Sequence, residues 1–163
     1  MDHLWSPWRY RYVTKSDAAA PTGGCIFCDK PKGDDRENLI VFRGEHNYVL
    51  LNLYPYTNGH VMIAPYSHVD SLAALDATAA QEMMALAQRT ESILRAVYSP
   101  GGINIGMNLG ECAGAGVAGH IHMHLLPRWP GDANFMSVVG ETRVLIEELD
   151  TTWEKLAAAF SAS

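Results

Sequence analysis

The chain has 163 residues, of which 48% are hydrophobic, and twelve basic against eighteen acidic side chains give a net charge of −6 at pH 7. This length and apolar content predict a single domain over residues 1–163, and the negative charge argues against binding along a nucleic-acid backbone. No segment is apolar for long enough to cross a bilayer and the chain opens without a secretory signal, so we expect a cytoplasmic protein with no membrane partner.

The N-terminal residues, about 1–15, interleave aromatic side chains with arginines, beginning at Leu4-Trp5-Ser6-Pro7-Trp8-Arg9. Such a segment can stack on nucleobases, but it carries too little positive charge for a groove that follows a nucleic-acid strand. We therefore predict an aromatic arm that packs on a protein surface. A linker rich in small residues follows it, up to Gly24.

The pair Cys25 and Cys28 has a spacing that suits a tetrahedral zinc site and equally a redox dithiol. A redox pair normally opens a helix after a strand, whereas here the motif is predicted between two loop-like stretches, which favours zinc. His68 and His120 are the natural further ligands. We predict a structural zinc site of Cys25, Cys28, His68 and His120, with two buried, unligated cysteines as the alternative.

Three apolar runs of strand length follow, at Asn38 to Arg43, Asn47 to Asn52 and His60 to Ala64, and the first two predict a hairpin. From Asp76, a suitable N-cap, apolar residues recur with helical spacing as far as Ser99-Pro100. These patterns predict a hairpin, a third strand and then a long amphipathic helix.

A further strand is predicted from Ile103 to Asn108, and the histidine-rich stretch from Gly119 to Trp129 predicts another. Apolar residues from Leu145 to Phe160 predict a C-terminal amphipathic helix. The order of elements predicts an α+β fold, in which a long helix and a C-terminal helix cover one face of an antiparallel sheet of about five strands.

The histidine strand alternates His120, His122 and His124 with apolar residues. Successive side chains of a strand point to opposite faces, so the three histidines are predicted to share one face and the apolar residues the other. If a metal occupies His120, then His122 is the central free imidazole and the best candidate nucleophile, provided that one ring nitrogen donates its proton to a fixed acceptor. His124 would face the same pocket and donate to a phosphate oxygen or to the leaving group.

A glycine-rich stretch, Asn108 to Gly119, lies immediately before the histidines. Glycines let backbone N–H groups approach an anion closely, so we predict a phosphate cradle here, although a plain flexible turn would look similar. Cys112 lies in this stretch without a partner in the sequence, and we interpret it as incidental.

The residues His120-Ile121-His122-Met123-His124-Leu125-Leu126 resemble the signature of the histidine triad family of nucleotidyl hydrolases and transferases. The similarity extends through Cys25-Ile26-Phe27-Cys28, through Asn52 with Gly59-His60, and through Asn104 to Gly110. The opening segment and the stretch Pro127 to Phe135 further resemble the bacterial branch related to diadenosine tetraphosphate phosphorylases.

This resemblance implies roles for individual residues. His122 corresponds to the nucleophile that takes the nucleoside monophosphate, and His124 to the histidine that contacts phosphate. Asn52 corresponds to the residue that holds the ribose, and Asn108 to one near the phosphates. The family's zinc ligands fall on the same four cysteines and histidines, and its members are compact α+β units that usually form homodimers.

The chain departs from many hydrolases of this family at Gly116 and Val117, where those enzymes carry Gln followed by Ser or Thr. Two side-chain contacts to phosphate are therefore missing, and backbone N–H groups at Gly116 must replace them. Downstream, Trp129 and Phe135 are predicted either to stack on a base or to complete a subunit contact, and Asn134 is included among the predicted nucleotide-binding residues.

The leading hypothesis is an enzyme, a nucleotidyl transferase that acts on dinucleoside polyphosphates through a nucleotidyl-histidine, which inorganic phosphate resolves. One alternative is a hydrolase, acting on dinucleoside polyphosphates or nucleoside phosphoramidates, in which water resolves the same intermediate. A second is a zinc-stabilised nucleotide-binding module without turnover. A metallohydrolase is disfavoured because four protein ligands leave no open position on the zinc.

Overall fold

The computed structural model of the protein describes residues 24–132 and 147–162. The predicted arm, as well as Asn134 and Phe135, lies outside the described residues. The helices are α1 (Ile26–Asp29), α2 (Ala77–Tyr98) and α3 (Leu149–Ala162), and the strands are β1 (Ile40–Arg43), β2 (Asn47–Leu51), β3 (Val61–Pro65), β4 (Gly102–Met107) and β5 (Met123–Arg128). No helix in these ranges is both long and apolar enough to span a membrane.

The five strands form one antiparallel sheet in the order β1-β2-β3-β5-β4. The predicted fold class and the predicted hairpin of the first two strands are confirmed. The short turn between Arg43 and Asn47 explains the antiparallel pairing of β1 with β2, and after the connection through α2 the strand β4 lies at the far edge of the sheet.

The long helix α2 begins and ends where the sequence predicts. The Asp76 side chain accepts a hydrogen bond from the Thr78 backbone N–H, which satisfies one of the free donors at the N-terminus. At the other end Ser99 adopts a left-handed conformation with φ of 46°, and Pro100 cannot continue the helix.

The sheet separates two apolar clusters. On one face α2 and α3 cover the larger core, which includes Ile121, Met123 and Leu125 from the histidine stretch. On the other face a smaller cluster packs around Phe27 of α1. The predicted alternation of the histidine stretch is therefore confirmed for its apolar residues.

The histidine strand starts later than the sequence predicts. Its pairing with the sheet begins at Met123, so that His120 and His122 precede β5. The reason is that the Ile121 backbone N–H donates to the Val69 carbonyl at 2.8 Å, a partner in the segment after β3 rather than in a neighbouring strand. This segment nevertheless stays extended enough to keep the apolar residues in the core.

Candidate active site and metal centre

The four predicted metal ligands meet on the sheet face opposite the two long helices. Their ligand atoms all lie within 4.8 Å of one another. Cys25 Sγ lies 3.3 Å from His120 Nδ1, and Cys28 Sγ lies 3.4 Å from His68 Nδ1. Three separate parts of the chain, which are α1, the segment after β3 and the segment before β5, therefore converge on one point.

The orientation of His120 suits a metal ligand. Its Nε2–H donates to the Pro65 carbonyl at 2.9 Å, so Nδ1 carries the lone pair and faces both sulfurs. Burial lowers the pKa of His120, which keeps the ring neutral. Two sulfurs and two imidazole nitrogens form a set that can hold a metal ion, and they match the ligands of closed tetrahedral zinc sites.

The two thiols also fit a cation. Burial raises the pKa of Cys28, and the neighbouring Cys25 raises it further through a hydrogen bond to the thiol and through repulsion between two thiolates. A dication among the four ligand atoms reverses that effect and stabilises both thiolates. The chemistry of the donors therefore fits a metal ion.

The local setting of the cysteine motif differs from the prediction. The sequence predicts a loop, but Cys25 immediately precedes α1 and Cys28 lies within it. The reason lies in the backbone: the Cys25 carbonyl accepts hydrogen bonds from the N–H groups of Cys28 and Asp29, which closes one helical turn. The predicted loop at the cysteines is therefore wrong, and the convergence of His68 and His120 on the sulfurs is what distinguishes this site from a dithiol.

His122 lies directly beside the four candidate ligands, which we call the candidate metal centre, and is almost fully buried. Its Nδ1–H donates to the backbone carbonyl of His120 at 2.9 Å, so Nε2 carries the lone pair. The ring packs between Phe27, at a centroid distance of 4.6 Å, and His124, at 4.8 Å. Burial lowers the pKa of His122, and a neutral imidazole of fixed tautomer can act as a nucleophile.

His124 is held by His60, which the sequence reasoning did not assign to the site. The Tyr56 backbone N–H donates to His60 Nδ1 at 3.1 Å, so a neutral His60 carries its proton on Nε2. This Nε2 lies 2.9 Å from His124 Nδ1 and donates to it, which leaves the proton of His124 on its own Nε2. Burial and the neighbouring His122 lower the pKa of His124 to about 4.

The strand register explains why His60 reaches His124. Met62 in β3 pairs with His124 in β5, and His60 lies two residues before Met62, on the same face of the sheet. The preceding residue, Gly59, has a φ of 73°, and a side chain there would bring a Cβ within 2.8 Å of the Tyr98 ring, so glycine is required at this position. The contact of His60 with His124 becomes visible only from the strand pairing, because the two residues are 64 positions apart in the sequence.

The other predicted nucleotide-binding residues lie at different distances from the histidines. Asn52 is adjacent, since its Nδ2 lies 3.4 Å from His60 Nδ1. Asn108 donates from Nδ2 to the Gly114 carbonyl at 3.4 Å, so it supports the glycine-rich stretch. A Cβ built at Gly116 would meet no atom within 4 Å, so this backbone is open to a ligand.

Trp129 is separated from the three histidines of the motif by most of the length of β5. It follows the far end of β5, five residues beyond His124, which corresponds to about 16 Å of extended chain. Its ring instead meets Tyr98 edge to face, with centroids 6.5 Å apart. The predicted contact of Trp129 with a base or a second subunit stays a prediction.

Comparison with known proteins gives consistent results. The family model described as HIT domain matches residues 34–131. A protein of Mycobacterium tuberculosis named AP-4-A phosphorylase is 37% identical over 168 aligned positions, which cover 99% of this chain and 85% of that protein.

Solved structures share the fold. A zinc-bound histidine triad family protein from Mycobacterium smegmatis superimposes with a TM-score of 0.68 and 25% identity, covering 85% of this chain and 94% of that one. A diadenosine triphosphate hydrolase from Plasmodium falciparum superimposes with a TM-score of 0.63 over 80% of this chain and 78% of that one, and at 19% identity it shows the fold alone.

Proposed function

The chain belongs to the HIT domain family, and on this premise we propose that it is a nucleotidyltransferase that cleaves dinucleoside polyphosphates with inorganic phosphate. The observation that carries the proposal is the fixed tautomer of His122. Its Nδ1–H is committed to the His120 carbonyl at 2.9 Å, so its Nε2 lone pair is available to attack.

In the proposed reaction His122 Nε2 attacks the α-phosphorus of diadenosine tetraphosphate. The bond from that phosphorus to the bridging oxygen breaks, ATP leaves, and AMP remains on the histidine. Inorganic phosphate then attacks the same phosphorus, the phosphorus–nitrogen bond breaks, and ADP leaves with His122 restored. His124, whose proton lies on Nε2, donates a hydrogen bond to a phosphate oxygen or to the leaving group.

Two observations support phosphate rather than water as the acceptor. The Mycobacterium tuberculosis relative that is similar over 99% of this chain is named a phosphorylase. In addition, Gly116 offers only its backbone to a ligand, and a Cβ there would meet no atom, so the pocket has space at this point. A second anion requires such space beside the nucleotidyl-histidine.

We assign the remaining contacts as follows. Asn52 holds the ribose, since its side chain lies beside His60. Asn108 and the backbone at Gly116 hold phosphate oxygens, and Gly114 supports this by its left-handed φ of 92°, which turns the chain around the anion. Trp129 and Asn134 complete the nucleotide-binding set, from the chain beyond β5 of the same or of a second subunit.

The metal centre holds zinc in this proposal, and its role is structural. Cys25, Cys28, His68 and His120 provide two sulfurs and two nitrogens, the set found in closed zinc sites. The similar Mycobacterium smegmatis protein is described as zinc-bound. Because His120 is both a ligand and the acceptor of the His122 proton, the metal centre fixes the backbone to which the nucleophile is hydrogen-bonded.

We also propose a cytoplasmic homodimer that forms through the edge strand β4. The other edge strand, β1, is covered by α3, whose Trp153 donates to the Ile40 carbonyl at 2.8 Å. In β4 the residues Asn104 to Gly106 are exposed, and Ile105 is 48% exposed. An apolar edge strand is a surface for pairing with a second strand, so light scattering should give twice the monomer mass, and Ile105→Glu should reduce it.

The product pattern tests the reaction. Wild-type protein incubated with diadenosine tetraphosphate and phosphate should give ATP and ADP, and it should show little turnover without phosphate. ATP and AMP formed irrespective of phosphate would indicate the hydrolase alternative. Nucleotide binding without either product would indicate the binding module.

A further inference from the structure

The turn between β2 and β3 presents large exposed side chains, and one of them, Tyr56, contacts the histidines. Leu53, Tyr54 and Tyr56 are 52%, 78% and 44% exposed. Exposure alone is common for surface aromatic residues, but the Tyr56 ring also lies against an imidazole of the site, with its centroid 4.8 Å from that of His60. The feature is therefore a candidate contact surface next to the site already described.

This turn is held in place rather than loosely attached. Asn52 Oδ1 accepts the Tyr54 backbone N–H at 2.9 Å, and His60 Nδ1 accepts the Tyr56 backbone N–H at 3.1 Å. Both anchors are side chains adjacent to the reacting histidines. The positions of the two tyrosines are consequently tied to the position of the site.

The Tyr56 ring extends the row of imidazoles. Its centroid lies 4.8 Å from that of His60 and 6.3 Å from that of His124, and its plane is only 23° from the plane of His124. The ring therefore packs on the imidazole that is proposed to contact the phosphate chain, while 44% of the residue remains exposed.

We propose that Tyr56 is a stacking surface for a nucleobase of the dinucleoside substrate. This inference rests on the proposed function, because that substrate carries a planar base at each end of its phosphate chain. Aromatic side chains stack on any base, since every base has a π-face. A phosphate chain held at His124 therefore brings one of the two bases near the adjacent ring, and the base belongs either to the transferred or to the departing nucleoside.

The experiment compares Tyr56→Phe with Tyr56→Leu, since both keep the backbone N–H that donates to His60 but only the first keeps an aromatic ring. Three measurements are made on each: kcat/KM with diadenosine tetraphosphate, kcat/KM with adenosine 5′-tetraphosphate, and the Kd values of AMP and ribose 5-phosphate. Met84→Ala, at an exposed position of α2, is the control for surface substitution. Circular dichroism monitors folding.

Stacking predicts that Tyr56→Leu lowers kcat/KM with diadenosine tetraphosphate by about tenfold or more, and that Tyr56→Phe largely restores it. If the base belongs to the departing nucleoside, adenosine 5′-tetraphosphate is spared because it has no second base. If it belongs to the transferred nucleoside, both substrates are affected and AMP binds more weakly, while ribose 5-phosphate does not.

Equal losses in Tyr56→Phe and Tyr56→Leu, or equally weakened binding of AMP and ribose 5-phosphate, would overturn the proposal. So would a Tyr56→Leu protein with wild-type values throughout. The binding measurements need no turnover, so they test the stacking contact to the transferred nucleoside even if wild-type protein fails to produce ADP and the proposed reaction itself is wrong.

Discussion

The two sides of His122 are built differently. On one side lies the candidate metal centre, in which ligand atoms from three distant segments lie 3.3 to 3.5 Å apart, and the buried ring of Phe27 packs beside its His120. On the other side His60 and His124 form a row of hydrogen bonds that begins at the Tyr56 backbone N–H. The first side fixes the chain, whereas the second fixes the positions of protons.

The histidine motif therefore serves two purposes, because His120 and His124 have different kinds of partner. His120 directs its Nδ1 at the Cys25 sulfur, and its backbone carbonyl accepts the proton of His122 Nδ1, so it belongs to the fixed side and also sets the tautomer of the proposed nucleophile. His124 has no contact of this kind, and its tautomer depends on His60 alone among the described hydrogen bonds. Substitutions on the two sides should therefore fail in different ways.

The largest effect is expected at His122 itself. His122→Ala removes the nitrogen that we propose as the nucleophile, so turnover of diadenosine tetraphosphate should fall by about 10⁴-fold or more, a loss typical of a missing covalent nucleophile. The Kd of AMP should change far less, because phosphate and ribose contacts remain. Rapid-quench detection of a nucleotidyl-enzyme in wild type but not in the variant is the direct measurement; weak activity that survives unchanged would point to a non-catalytic binding module.

The second largest loss of activity is expected on substitution of His60. His60→Leu removes the donor to His124 Nδ1, so His124 can place its proton on either nitrogen and loses its fixed role as donor from Nε2. We expect kcat to fall by about 100-fold with little change in KM. His60→Gln, whose amide can donate to His124, should recover part of the loss.

Stopped-flow measurement of the first product release separates this effect from a folding defect. Thermal unfolding of the His60 variants should remain cooperative. If His60→Leu and His60→Gln lower kcat equally, then the hydrogen bond from His60 to His124 does not contribute to the reaction.

The sequence predicts the metal side far better than the proton side. Cys25 and Cys28 have the spacing of a metal-ligand pair and His120 lies in one short motif, so local pattern indicates these ligands, although their convergence in the structure is what distinguishes the site from a dithiol. His60 is a single histidine at the end of a strand, and its role depends on the register that pairs Met62 with His124. Register is a property of the sheet as a whole, which residue types alone do not specify.

A third, smaller effect on activity is expected when the metal side is broken. Cys25→Ser removes one of the two predicted sulfur ligands, so the proposed zinc should be lost and the free energy of unfolding should fall by about 3 kcal/mol or more. Below the melting temperature, kcat should fall only about tenfold, because the His122–His120 hydrogen bond lies within one short backbone segment.

Metal analysis and thermal unfolding measure this change, with Cys112→Ser as the matched control. Cys112 is an exposed thiol outside the metal centre, so its substitution should leave zinc content and stability unaltered. A Cys25→Ser protein that keeps one zinc per chain would show that the metal binds elsewhere.

The fold itself was largely predictable because its signals are local and repeated. The caps of α2 at Asp76 and Ser99, and the apolar alternation of Ile121, Met123 and Leu125, each agree with the tertiary structure. What local pattern missed are the short helix at Cys28 and the late start of β5. Both depend on backbone hydrogen bonds. The Cys25 carbonyl accepts the bonds that close the helical turn, and the Val69 carbonyl accepts the Ile121 N–H in place of a neighbouring strand.

The smallest effect is expected on the helix-covered face, which neither side of His122 touches. Trp153→Phe keeps an aromatic ring beneath Arg36, whose guanidinium lies 5.1 Å from the ring centroid, but it removes the N–H that donates to the Ile40 carbonyl. One lost hydrogen bond of this kind costs about 1 kcal/mol of unfolding free energy. Urea unfolding should show that loss, while kcat, KM and zinc content stay at wild-type values. A fall in kcat would mean that a change at the edge strand β1 alters the positions of the histidines. The two sides of His122 would then depend on the rest of the sheet.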